Sequence, residues 1–213
     1  MQPKYDPSVF NVSNLADARS IILTEEGSTT PDSRWQTETP YLFDVISRWL
    51  AIKPPARVLD FGCGVGRLSK LIAERFEVEV VGVDISVSMR QLAPGYVQHP
   101  LFTAISPQLL DAWVSRQPGS FDLALTVWVL QHCNDVEAEV DRLHRALRPN
   151  GVLFVVDMKH RAVPTSGGWI DDGKSVAEAL SRKFQLVHKE PFAAPEADSG
   201  LLQSGWMGLY QKT

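Results

Sequence analysis

The chain has 213 residues, 44% hydrophobic and 22% charged, the proportions of a soluble globular protein with room for one sizeable core. A net charge of −4 gives no global attraction to a nucleic-acid backbone. The longest apolar stretch, FDLALTVWVL, is about half of a bilayer span, and MQPKYDPSVF lacks the basic start and apolar core of a signal peptide. The expected setting is therefore cytoplasmic, with no nucleic-acid and no membrane partner. Cys63 and Cys133 show neither CxxC nor metal-ligand spacing and read as reduced, buried thiols.

Residues 1 to about 33 are polar and turn-rich, with EEGSTTPDS the clearest break. They read as a leader, extended to residue 39, that folds over the body or stays loose. RWQTETPYLFDVISRWL then predicts a helix with Leu42, Val45, Ile46 and Trp49 on one face, stopped by KPPA. RVLDF and VEVVGVD are β-branched strand candidates flanking GRLSKLIAERF, whose Leu68, Leu71 and Ile72 keep helical spacing. Within 91–117 the patterns are weaker, HPLFTAI serving as a third strand and PQLLDAWVSR as its helix. FDLALTVWV and GVLFVVD are buried strands joined by DVEAEVDRLHRALRPN, a helix with the stripe Val136, Val140, Leu143 and Leu147 and a stop at Pro149-Asn150-Gly151. Beyond Asp157 come the turn-rich MKHRAVPTSGGWIDDG, a helix near 175–182, and the runs KFQLVHKE and WMGLYQK, expected as a terminal antiparallel pair. Alternating strands and helices predict an α/β fold with a mostly parallel sheet covered on both faces, one domain from 40 to 213.

The stretch VLDFGCGVGRLSK raises the question of a ligand. In an open parallel sheet ligands bind beyond the carboxyl ends of the strands, and RVLDF opens into this turn. The glycines fall at 62, 64 and 66, with Arg67 where a dinucleotide fingerprint needs its third glycine, and no Gly-Lys-Ser/Thr ending follows. Asp60 would repel a pyrophosphate but suits an ammonium group. Asp84, at the tip of the second strand, suits the hydroxyls of a ribose. Together the two acids describe a nucleoside with a cationic, phosphate-free tail, which S-adenosylmethionine matches.

VLDFGCGVGRLS, VVGVDIS, FDLALTVWVLQHCND and LHRALRPNGVLFVVD occur in that order, and with them the chain resembles, over about residues 40–213, the class I S-adenosylmethionine-dependent methyltransferases, particularly their small-molecule branch. The resemblance implies a Rossmann-like, doubly wound sheet of seven strands with the last antiparallel. It implies S-adenosylmethionine as cofactor, S-adenosylhomocysteine as product, and no metal. Carried over by position, Asp60, Gly62, Gly64 and Gly66 line the methionine part, Asp84 holds the ribose and Ile85 lies on the adenine. Val127 and Trp128 stand beside the sulfonium, with Gln131 and His132 just beyond. Many relatives place an acid or amide after the third strand to read the adenine amino group, whereas LFTAISPQ offers only Ser106 and Gln108.

Methyl transfer is a displacement at an activated carbon, so alignment supplies much of the catalysis and a base is needed only where the acceptor loses a proton. His132 is the candidate base; ordering the loop or touching cofactor is its alternative role. His160 and Arg161, after the fifth strand, are candidates for substrate contact. Arg34 and Trp35 are expected in a lid, with packing of the leader onto the body as the alternative for Trp35. Trp169 and Trp206 are candidates to wall an acceptor pocket, against the commoner role of core filling. Asp171-Asp172 reads as a capped helix start. TVWVLQH lacks the Asn/Asp-Pro-Pro-aromatic turn of relatives that methylate nucleobase or glutamine amides, so the expected acceptor is a small molecule. Two other classes stay open: a nicotinamide-dependent oxidoreductase, and a binding module that keeps the cofactor without turnover.

Overall fold

The computed structural model describes residues 3–25, 27, 29–52 and 56–213; most of the KPPA stop and part of the EEGSTTPDS break lie outside them. Apolar runs give β1 (Arg57–Phe61), β2 (Glu79–Val83), β3 (Phe102–Ile105), β4 (Phe121–Val127) and β5 (Leu147–Met158), parallel in the order β3-β2-β1-β4-β5, with the inner strands largely buried on both faces and β3 at one edge. After β5 a separate ribbon forms from β6 (Val163–Thr165) and β7 (Gly168–Ile170). β8 (Gln185–Pro191) and β9 (Gly205–Gln211) complete the main sheet as β5-β9-β8. β9 is antiparallel to both neighbours, and β8 is the other edge.

Period-two alternation sends neighbouring residues to opposite cores. Leu59, Val81, Ala124 and Val155 face one core, closed by α5 (Pro107–Arg116), α6 (Val136–Ala146) and α7 (Val176–Ser181). Val58, Val80, Leu125 and Val156 face the other, closed by α2 (Pro31–Ile52), α3 (Arg67–Phe76), α4 (Val87–Val97) and α8 (Ser199–Ser204), while α1 (Leu15–Ile22) lies over the glycine turn. Serine and aspartate side chains start these helices: Ser86 accepts from the Met89 N–H, Ser106 from Leu109, Asp135 from Ala138 and Ser175 from Glu178. Among the described residues no helix is long and apolar enough to cross a membrane.

Several elements differ from expectation. α2 starts at Pro31 and runs unbroken through residue 39, so the division between leader and body falls inside a helix. Its buried stripe ends on Leu50, four residues after Ile46, while Trp49 is 37% exposed. α4 has no counterpart in the sequence reading, because Pro94 and Gly95 interrupt its pattern. Leu147 opens β5 instead of ending the preceding helix. α7 is capped by Ser175, not by the Asp171-Asp172 pair.

Candidate cofactor and acceptor site

The strand order reverses between β1 and β4, which leaves a crevice beyond their carboxyl ends. There the protein holds a cavity of about 560 Å³, floored by the glycine turn. Gly62, Gly64 and Gly66 have φ of 77°, 55° and 86°, a region costly for any residue with a Cβ. A Cβ on Gly62 would lie 2.2 Å from Val129, and one on Gly64 would lie 2.6 Å from Ile22. The turn's amides are engaged within the chain: Gly62 and Cys63 donate to the Val83 carbonyl, Gly66 to Cys63, and Gly64 to the Asp84 carboxylate at 2.8 Å. These four N–H groups are therefore not presented to a pyrophosphate.

Asp84 lines the cavity at the tip of β2, its second oxygen accepting from the Ser86 N–H. Burial pushes its carboxyl above the usual range, while the Ser86 and Gly64 amides hold it down. Ile85 beside it lines the cavity and is 43% exposed. Asp60 is placed differently: it lies under the turn, outside the cavity lining, accepting from the Ser69 hydroxyl at 2.6 Å. Burial pushes its carboxyl up to about 6, against the Ser69 bond and the Arg67 charge. Asp60 thus supports the turn from below and does not itself line the cavity. Gly66 also lies outside the lining, as the start of α3, and so does Ser106, which caps α5.

At the end of β4, Val127, Trp128, Gln131 and His132 all line the cavity. Trp128 has φ of 59°, a strained conformation for a tryptophan, pinned by its N–H bond to Val156 and by its ring against Phe192. Its indole Nε1 is buried without a hydrogen-bond partner among the described residues. Gln131 accepts from the Met158 N–H and lies 2.9 Å from His132 Nε2. His132 Nδ1 lies 2.6 Å from the Ala162 carbonyl. A carbonyl only accepts, so Nδ1 carries the proton and Nε2 the lone pair, which takes the Gln131 amide N–H. Burial lowers the His132 pKa, the Ala162 bond raises it, and Arg161 lowers it further.

Arg34 lines the cavity but donates to Glu38 at 2.6 Å and to the Thr24 carbonyl. Trp35 faces away, between the guanidiniums of Arg19 and Arg67 and against Tyr96; it packs the leader onto the body. Arg161 lines the cavity with its guanidinium engaged, donating to the Asp172 carboxylate and to the carbonyls of Leu130 and Cys133. It is a clamp between two loops, and Asp172 is its anchor. His160 lies at the rim, 3.3 Å from Asp171, and Trp169 lines the opening. Trp206 is buried against Tyr210, its indole bonded to the Met158 carbonyl, so it fills the core and does not line this cavity. Tyr5, Phe10 and Ile22 line the cavity too. Sequence reasoning missed them, since the leader has no periodicity that marks an inward face.

Residues 34–194 match a family profile described as a methyltransferase domain. The chain belongs to this methyltransferase family. The methyltransferase domain is 32% identical to the ubiquinone biosynthesis O-methyltransferase of Xanthomonas campestris pv. campestris, over 72% of this chain and 64% of that protein. It is 32% identical to phosphoethanolamine N-methyltransferase 3 of Arabidopsis thaliana, over 51% of this chain but 22% of that protein. It thus spans less than two thirds of either relative. Among solved structures, the [4+2]-cyclase SpnF shares the fold, with a TM-score of 0.64 at 16% identity over 81% of this chain and 80% of that one.

Proposed function

We propose that the protein is an S-adenosylmethionine-dependent methyltransferase acting on a small molecule. The observation that carries this is the junction of Gly64 with Asp84 on the cavity floor. It sets a carboxylate on the cavity floor, suited to accept from the hydroxyls of a ribose, and ties up the Gly62, Cys63, Gly64 and Gly66 amides that a pyrophosphate would need. The residues fit such a nucleoside: three left-handed glycines allow close approach, Asp84 can accept from hydroxyls, and the Nε1 of Trp128 lacks a partner among the described residues. Gly62, Gly64, Asp84, Ile85, Val127, Trp128 and Gln131 would hold it, with Asp60, Gly66 and Ser106 shaping the turn and helix starts around them. When bound, S-adenosylmethionine supplies a methyl group activated by a sulfonium.

The chain's own contribution is alignment and a proton acceptor. Ala162 fixes the His132 tautomer that leaves Nε2 basic, and Gln131 holds that lone pair until an acceptor hydroxyl or amine replaces it. Arg161 positions the loop that carries both residues. Arg34, with the leader, covers the cavity. The free thiols of Cys63 and Cys133 suit the reducing cytoplasm. Thermal unfolding tests the cofactor: S-adenosylmethionine should raise the melting temperature in a concentration-dependent way and NADH should not. Stabilisation by NADH alone would reverse the assignment.

A further inference from the structure

The acceptor side of the cavity has a chemical character that the cofactor side does not share. Lys4 to Asp6 pair with the β6–β7 ribbon: the Asp6 N–H donates to Pro164, the Ser166 N–H to Lys4, and Tyr5 bridges Thr165. This brings Tyr5 and Phe10 over the opening, opposite the loop after β4. Phe10, His132 and Trp169 form one corner there, with ring centroids 6.1 Å, 6.2 Å and 5.2 Å apart in tilted and edge-on arrangements. The rings pack on one another as a continuous wall; they are not spaced to enclose a cation between them.

Apart from Asp84 on the cofactor side, the charged side chains that line the cavity are paired within the chain. Arg161 is held by Asp172, Arg34 by Glu38, and Glu139 by Arg142, while the His160 side chain is 79% exposed beside Asp171. Tyr5 is half-buried, and burial pushes its phenol up to about 12, so it presents a neutral hydroxyl.

Building on the cofactor assignment above, we infer that the acceptor is a neutral molecule with a flat, aromatic body, seated on the corner of Phe10, His132 and Trp169. An ionic head group on that side would lose its hydration without gaining a free counter-charge. A flat apolar body gains contact with three rings at little cost in ordering. Trp169 sets specificity most strongly, because 54% of its surface is exposed and available to stack.

The test is calorimetric titration of the full chain, saturated with S-adenosylhomocysteine, against 2-naphthol and separately against phosphoethanolamine. The expected result is saturable binding of 2-naphthol, weakened at least fivefold in Trp169→Ala and in Phe10→Ala, with no saturable heat from phosphoethanolamine. Both variants should keep S-adenosylhomocysteine affinity within about twofold of the parent chain. Binding of S-adenosylhomocysteine with none of 2-naphthol, or 2-naphthol binding unchanged in both variants, overturns the acceptor class alone. Saturable binding of phosphoethanolamine overturns it as well. Failure to bind S-adenosylhomocysteine overturns the cofactor assignment and this inference with it.

Discussion

The Gly64 amide donates to the Asp84 carboxylate across 2.8 Å, joining the turn after β1 to the tip of β2. Asp84 therefore shapes the floor of the cavity as well as offering it an acceptor. Asp84→Ala should weaken S-adenosylmethionine binding at least tenfold, about 1.4 kcal/mol. Asp60→Ala should act differently, since Asp60 is bonded to Ser69 beneath the turn: a lower melting temperature with a smaller loss of affinity. Calorimetry and thermal unfolding of the two variants separate these effects.

His132 is locked as the Nδ1–H tautomer by Ala162, which leaves Nε2 as its only basic atom. Replacing it with alanine should lower turnover by about a hundredfold, the low end of general-base contributions, while cofactor affinity stays unchanged. Burial lowers its pKa below the ordinary 6.5. A base must be neutral to act, so the acid limb of the pH–rate profile should fall below pH 6.5. Loss of cofactor affinity with unchanged turnover would make His132 a cofactor contact instead.

Arg161 ties Asp172 to the carbonyls of Leu130 and Cys133, and its side chain is 1% exposed. Removing one partner of such a pair leaves buried acceptors unsatisfied. Arg161→Ala should destabilise the fold by about 3 kcal/mol, at the low end for buried pairs because Asp172 keeps some contact with water. Chemical denaturation measures this directly. Arg161→Lys should recover only part of the loss, since an ammonium cannot reproduce the fork.

Asp157 is fully buried at the end of β5, and burial pushes its carboxyl up to about 7 despite the Met158 N–H bond. An acid with a raised folded-state pKa binds more protons folded than unfolded, so its contribution to stability falls as pH rises from about 4 to about 7. The melting temperature of the parent chain should lose ground to that of Asp157→Asn across this window and run parallel to it above. A constant difference between pH 4 and pH 7 would show that Asp157 ionises normally.

The sheet was legible where burial on both faces writes continuous β-branched runs, as in RVLDF and VEVVGVD, and where Gly and Pro punctuate them. α4 was not, because VSMRQLAPGYV carries a proline and a glycine that tertiary packing of Met89, Ala93 and Val97 overrides. Within the site, Asp84 was legible because it ends a strand. The true surroundings of Asp60 were hidden, since Ser69 meets it only once α3 folds back over β1. Arg161 was placed on the correct side, but its partner Asp172 sits in a loop where no periodicity records pairing. Tyr5 and Phe10 reach the cavity through the pairing of residues 4–6 with β6, a long-range contact that leaves no local pattern.

The most direct test is a calorimetric titration of the purified chain and of Asp84→Ala with S-adenosylmethionine, with NADH titrated in parallel. One saturable site for S-adenosylmethionine, weakened at least tenfold in the variant, is the predicted result. Saturable binding of NADH alone, or S-adenosylmethionine binding that Asp84→Ala leaves unchanged, would contradict it.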